Sequence, residues 1–259
     1  MPTFQSADAQ INYQTFGDPN SPALLFSNSL GTNYGMWQKQ FNYFKEHFYV
    51  ICYDTRGHGS SSTPTGPYTL QQLGEDVVRL LDHLKIEKAN FCGISMGGIT
   101  GQWLAIHYPE RFLRVVVSNT AAKIGQEQAW LDRAQLVRKQ GLVPIATTAA
   151  SRWFTDPFIQ SHPTIVNNLC NDLSAGSANG YANCCEALAK ADVRDQLKDI
   201  LIPVLVIAGT QDPVTTVADG QFMQQQIPQS KLVEIEASHI SNIEQAESFN
   251  HILKDFLIH

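Results

Sequence analysis

The sequence predicts an α/β fold: a mostly parallel central sheet flanked by helices, with a helical cap inserted between two strands. Three observations carry that expectation. Short, continuously apolar runs alternate with helical patterns. The alternation breaks over residues 123–190, a stretch of helical composition without a convincing strand. A serine between glycines, Gly93-Ile94-Ser95-Met96-Gly97, sits where an apolar run gives way to a helical one.

Residues 10–16 alternate polar and apolar, the pattern of a half-exposed antiparallel strand. The runs 23–26, 48–53, 89–94, 115–117 and 204–207 are continuously apolar, as strands buried on both faces of a parallel sheet are; 232–235 is a weaker strand candidate. Leu70, Leu73, Val77, Leu80, Leu81 and Leu84 mark one face of a helix, with Thr69 placed to cap it. Residues 96–107 read as a second helix, stopped near Pro109. Residues 248–257 read as the last, with Phe249, Ile252, Leu253, Phe256 and Leu257 on one side. Within 123–190 the helical patterns are 128–139 and 177–190, and a connection of that length needs structure of its own. The expected organisation is therefore a core of 1–122 and 191–259, interrupted by a cap of 123–190. The inserted cap accounts for a length beyond the roughly 150 residues of an average domain.

Composition narrows the function classes. At 43% hydrophobic and 10% aromatic residues the chain can bury a sizeable core, which excludes a mainly disordered protein. A net charge of −6 argues against general affinity for nucleic acid, which requires clustered Lys and Arg. No apolar run approaches the ~20 residues of a membrane span. Residues 1–6 carry neither the basic nor the apolar region of a secretory signal. Cys52, Cys92, Cys170, Cys184 and Cys185 are odd in number and contain no C-x-x-C pair, so a reducing cytoplasm is the expected compartment.

The chemistry begins at residues 93–97. G-x-S-x-G after a strand and before a helix is a nucleophile elbow, a sharp turn that lifts the serine hydroxyl above the sheet edge. The helix that follows presents its positive end and free N–H groups there. A serine needs an adjacent base to attack at neutral pH, and that base needs an orienting acid. In chain order the acid and then the base follow such a serine. His239, in the polar loop 237–242, is the candidate base; His251 falls within the last helix and His259 at the solvated terminus. Asp212, just past the strand 204–207, is the candidate acid, while Asp192, Asp195 and Asp199 precede that strand and fit worse. The oxyanion of a tetrahedral intermediate would be met by the backbone N–H of Met96 and one from the loop 27–32, for which Leu30 is the best candidate. His58, in Asp54-Thr55-Arg56-Gly57-His58-Gly59, precedes the serine and so stands in the wrong order for the base. Gly57 and Gly59 lack the third glycine of a dinucleotide fingerprint.

With these motifs the chain resembles the α/β-hydrolase superfamily from about residue 10 to the end. The segments 27–32, 119–125, Arg152-Trp153-Phe154 and 237–244 narrow the resemblance to the 3-oxoadipate enol-lactonases of bacterial aromatic degradation. Asn28-Ser29 stands where α/β hydrolases commonly carry His-Gly, with Trp37 further on, and this substitution is normal for the enol-lactonases. Residues 54–59 resemble a turn of the superfamily whose Asp and Arg hold loops. The resemblance implies hydrolysis of a small enol-lactone bearing a carboxylate, through an acyl-enzyme. It implies no metal or organic cofactor and no nucleic-acid or membrane partner. Other ester, lactone or carbon–carbon bond hydrolases, perhydrolases and lactone-binding receptors share the same three residues.

A carboxylate in a low-dielectric pocket must be paired. On a helix over 128–139, Trp130, Arg133 and Arg138 fall within one broad face, and either arginine could hold the carboxylate. Arg152 and Trp153 form a second cation–aromatic cluster, with Trp153 a further candidate for contact with the substrate.

Overall fold

The computed structural model describes residues 2–258; Met1 and the expected solvated His259 lie outside the described residues. Eight strands form one sheet: β1 (Thr3–Ser6), β2 (Ala9–Phe16), β3 (Ala23–Ser27), β4 (Tyr49–Tyr53), β5 (Ala89–Ile94), β6 (Phe112–Ser118), β7 (Val204–Gly209) and β8 (Ser230–Ile235). Their spatial order is β1-β2-β4-β3-β5-β6-β7-β8. Pairing is antiparallel from β1 through β2 to β4 and parallel from β4 to β8.

The apolar runs explain this sheet. β3, β5 and β7 are buried at every position, as strands covered on both faces must be. Each large aliphatic or aromatic side chain buried this way contributes about 1.5–3 kcal/mol. β2 lies between the edge strand β1 and the parallel block; it buries Ala9, Ile11 and Asn12 and leaves residues 13–16 half-buried, so the polar–apolar alternation of its sequence is only partly matched by its burial. The four-residue β1 has no counterpart in the sequence reading, being too short for its period to stand out.

The helix Leu70–His83 begins with a capping box: Gln72 N–H donates to Thr69 Oγ1 (3.1 Å) and Thr69 N–H to Gln72 Oε1 (3.0 Å). The helix Met96–His107 ends before Pro109, and the helix Ala246–Ile258 buries Phe249, Leu253 and Leu257. Between β6 and β7 come the helices Glu127–Gln140, Val143–Thr147, Ala150–Trp153, Asp156–Ser161, Pro163–Ala175 and Ala178–Lys190, with no strand among the described residues. The first and last of these six pack along each other. No helix of the described residues is long and apolar enough to cross a membrane.

The chain leaves β3 for β4 on one side and returns to β5 on the other. Such a reversal opens a crevice at the carboxyl ends of the strands, where ligands bind in open α/β sheets. The loop after β3 and the serine after β5 flank it. The ends of β6, β7 and β8 contribute the next residues in turn.

Candidate active site

Ser95 is the first residue after β5 and immediately precedes the helix Met96–His107. Its backbone lies at φ 56°, ψ −114°, a conformation that costs a side-chain-bearing residue about 1–3 kcal/mol. The surroundings enforce it: Ser95 N–H donates to Ser118 O (2.9 Å), and Thr120 Oγ1 donates to Ser95 O (2.8 Å). The flanking glycines are steric requirements. A Cβ on Gly93 would stand 2.2 Å from Gly97 O, and one on Gly97 would stand 2.3 Å from Ser27 O. Gly97→Ala should therefore push the elbow off the β3 loop and destabilise the protein by about 1–3 kcal/mol or more. Denaturant unfolding at matched pH measures this, and a midpoint equal to the native one would refute it.

Asp212 follows β7 and His239 follows β8. His239 Nδ1 lies 2.8 Å from Asp212 Oδ2, and both residues are buried. Four further donors converge on the Asp212 carboxylate: Asn119 Nδ2 (3.0 Å), Thr215 Oγ1 (2.8 Å) and the N–H groups of Val214 (2.7 Å) and Thr215 (3.1 Å). Burial alone would raise the carboxyl pKa. The charge and hydrogen bond of His239, with the Asn119 and Val214 donors, outweigh burial and hold it below the usual aspartate value. Asn119, in a left-handed conformation at φ 44°, also donates to Ser238 O (3.0 Å), so one amide secures both the acid and the base loop. Glu244 secures that loop from the other side. Its Oε2 accepts the Ser238 N–H (2.8 Å), and its Oε1 accepts from the N–H and hydroxyl of Thr155 in the helical segment after β6. Ile240 N–H donates to Trp153 O (3.0 Å), adding a second tie to the same segment.

The loop after β3 approaches the elbow through Gly97 N–H, which donates to Asn28 O (3.0 Å). Asn28 is itself anchored: its Nδ2 donates to Tyr53 O (2.7 Å) and its Oδ1 accepts from Trp37 Nε1 (3.0 Å). That is the structural use of the Asn28–Trp37 pair. The Leu30 N–H has no hydrogen-bond partner among the described residues, and Met96, first in its helix, has an N–H without an intrahelical acceptor. His58 holds this loop: Gly31 N–H donates to its Nε2 (2.9 Å), and burial lowers its pKa, keeping it neutral as an acceptor. Arg56 is fully buried against Asp76 (2.7 Å) and also pairs with Asp8 (3.1 Å). His251, on the last helix, is exposed.

Ser29, Leu30, Ser95 and His239 line a cavity of about 260 Å³, roofed by Trp130, Arg133, Arg152, Trp153, Leu173 and Tyr181. Arg133 lies over the Trp130 ring, 5.0 Å from its centroid. Arg138 is elsewhere, a correction to the expectation that it shares this face. Its guanidinium pairs with Glu186 (2.6 and 2.8 Å) and Asn183 (2.7 Å), on a separate cavity with Thr63, Pro64 and Gly66. Five residues after Arg133 the helix has turned by about 140°, which carries Arg138 off the cavity side. Arg152, expected only as part of a cation–aromatic cluster with Trp153, and Tyr181, not expected at all, both enter the site. Tyr181 carried no signal beyond helical composition.

A model of the α/β-hydrolase fold family matches residues 22–246. The chain belongs to that family. This α/β hydrolase is 66% identical over 252 residues to 3-oxoadipate enol-lactonase 2 of Acinetobacter baylyi, covering 97% of this chain and 94% of that protein. It is 49% identical over 247 residues to 3-oxoadipate enol-lactonase 1 of the same organism, covering 95% and 92%. The crystal structure of the enol-lactonase from Burkholderia xenovorans LB400 superposes over the whole of both chains with a TM-score of 0.98 at 42% identity.

Proposed function

We propose that this hydrolase opens 3-oxoadipate enol-lactone to 3-oxoadipate, using Ser95 as nucleophile, His239 as base and Asp212 as its orienting acid. The observation that carries the reading is the His239–Asp212 pair, held by four further donors and facing one cavity with Ser95. The similarity to two enol-lactonases supports the substrate.

In this reading each step has a group to carry it. His239 takes the Ser95 proton as Oγ adds to the lactone carbonyl, and Asp212 stabilises the imidazolium. The Leu30 and Met96 N–H groups receive the oxyanion. The bond from the acyl carbon to the ring oxygen breaks, its electron pair stays on that oxygen, and the proton returns from His239. Water, deprotonated by His239, then adds to the acyl carbon and Ser95 leaves with the returned proton. The leaving group is an enol, which ketonises and draws the reaction forward.

In this reading residues 123–190 serve as a cap over a core of 1–122 and 191–259, and Trp130, Arg133 and Trp153 form the substrate side of the cavity. Arg133 holds the substrate carboxylate, since it faces the cavity and no acidic residue of the described chain pairs with it. The free cysteines support a cytoplasmic setting, and a small carboxylate-bearing lactone is the partner. Arg133→Ala should raise KM for the carboxylate-bearing lactone at least about tenfold while leaving a neutral ester little changed, because a charge-assisted pair of about 1.5–3 kcal/mol is lost. Arg138→Ala should alter neither KM. Steady-state kinetics on both substrates decide it, and equal effects on the two substrates in Arg133→Ala would remove the role. Failure of the native enzyme to consume enol-lactone generated in situ would overturn the substrate.

A further inference from the structure

The cavity carries one cation more than its substrate has charges. Arg133 and Arg152 both line it, and no acidic residue is among the lining groups. Elsewhere Arg56, Arg79, Arg111, Arg138 and Arg194 each pair with a carboxylate. Arg152 is fixed in place by neutral acceptors only: Nη1 donates to Thr148 Oγ1 (2.6 Å) and Nη2 to Ile145 O (3.2 Å). Two of its five N–H groups are thereby used and the others remain to serve a ligand. The two guanidiniums flank Tyr181 and repel each other: burial, then the Arg133 charge, pushes the Arg152 pKa down. Two half-buried cations side by side, with no carboxylate between them, favour the arrival of a second negative charge.

The reaction provides one. The enol-lactone carries a single carboxylate. When the acyl–oxygen bond breaks, the electron pair moves to the ring oxygen, which becomes an enolate before the proton from His239 reaches it. That oxygen sits on the carbon two positions from the carboxylate carbon. A second cation on the same cavity, next to the one that holds the carboxylate, is therefore placed to serve the leaving oxygen. We propose that Arg152 is a catalytic residue that stabilises the negative charge developing on the ring oxygen as the lactone opens. This rests on the lactonase reading and on Arg133 as the carboxylate partner.

The test compares the native enzyme with Arg152→Gln, Arg152→Lys and Arg133→Gln. On enol-lactone, Arg152→Gln should lower kcat at least about tenfold with KM changed less than about twofold, the pattern of an interaction made in the transition state only. Arg152→Lys should recover most of kcat by restoring the charge. On a series of aryl acetates with phenols of graded acidity, kcat/KM should fall more steeply with leaving-group basicity in Arg152→Gln than in the native enzyme or Arg133→Gln. A raised KM with kcat retained would make Arg152 a ground-state carboxylate contact and overturn the proposal. So would an unchanged slope in the aryl series, or a kcat in Arg152→Lys as low as in Arg152→Gln. Because the aryl series needs no enol-lactone, it judges Arg152 even if the native enzyme proves inactive on that substrate.

Discussion

Ser95→Ala should reduce enol-lactone turnover by about 10⁶-fold in kcat, the scale of loss when the nucleophile of a serine triad is removed. The expectation is specific to the hydroxyl. The substitution keeps a Cβ at φ 56° and removes only Oγ, so the elbow, the Ser118 and Thr120 hydrogen bonds and the cavity walls stay in place. The melting temperature should stay near the native value, and product should still bind. Direct measurement of lactone consumption, corrected for spontaneous hydrolysis, reads the effect. Native-like activity in this variant would remove Ser95 from the mechanism.

Asp212→Asn should lower kcat by about 10⁴-fold in a protein that still folds, as when the catalytic imidazole is left in the wrong tautomer. The acid receives five donors, counting His239 Nδ1. An amide has one acceptor oxygen, so either its NH₂ turns toward His239 or it opposes the Val214 and Thr215 N–H groups. In the first case Nδ1 must accept, Nε2 carries the proton, and the imidazole has no free site for the Ser95 proton. The same substitution changes acid stability in a definite direction. A carboxyl whose folded pKa is depressed stabilises the fold above its unfolded value of about 3.9 and loses that contribution as pH falls through the folded value. The native protein should therefore lose stability on acidification below pH ~4 more steeply than Asp212→Asn. Chemical unfolding at a series of pH values compares the two, and parallel curves would contradict the depressed pKa.

Much of this site is legible in the sequence because the elbow is local. Steric demand at Gly93 and Gly97 and the strand before the helix all lie within about a dozen residues. Asp212 and His239 are legible for a different reason: parallel strands bring their carboxyl ends to one edge, so a residue just past β7 and another past β8 must be neighbours. The oxyanion loop is readable to the same extent, as the turn after β3. The cavity roof is not. Its position depends on how six helices pack, and helical periodicity names a face only to within a wide arc. That arc included Arg138 with Trp130 and Arg133, and the packing of the helix Ala178–Lys190 supplied Glu186 to take it away. Asn119 escaped for another reason: its left-handed backbone and its two-loop clamp are properties of the assembled sheet edge.

The hydrogen bond from Ile240 to Trp153, and Glu244 bridging Ser238 and Thr155, tie residues 153–155 of the roof to the loop that carries His239. Residues 152–155 cannot lift from the core without dragging the turn that seats His239. Arg152 and Trp153, which line the cavity, therefore share their footing with His239.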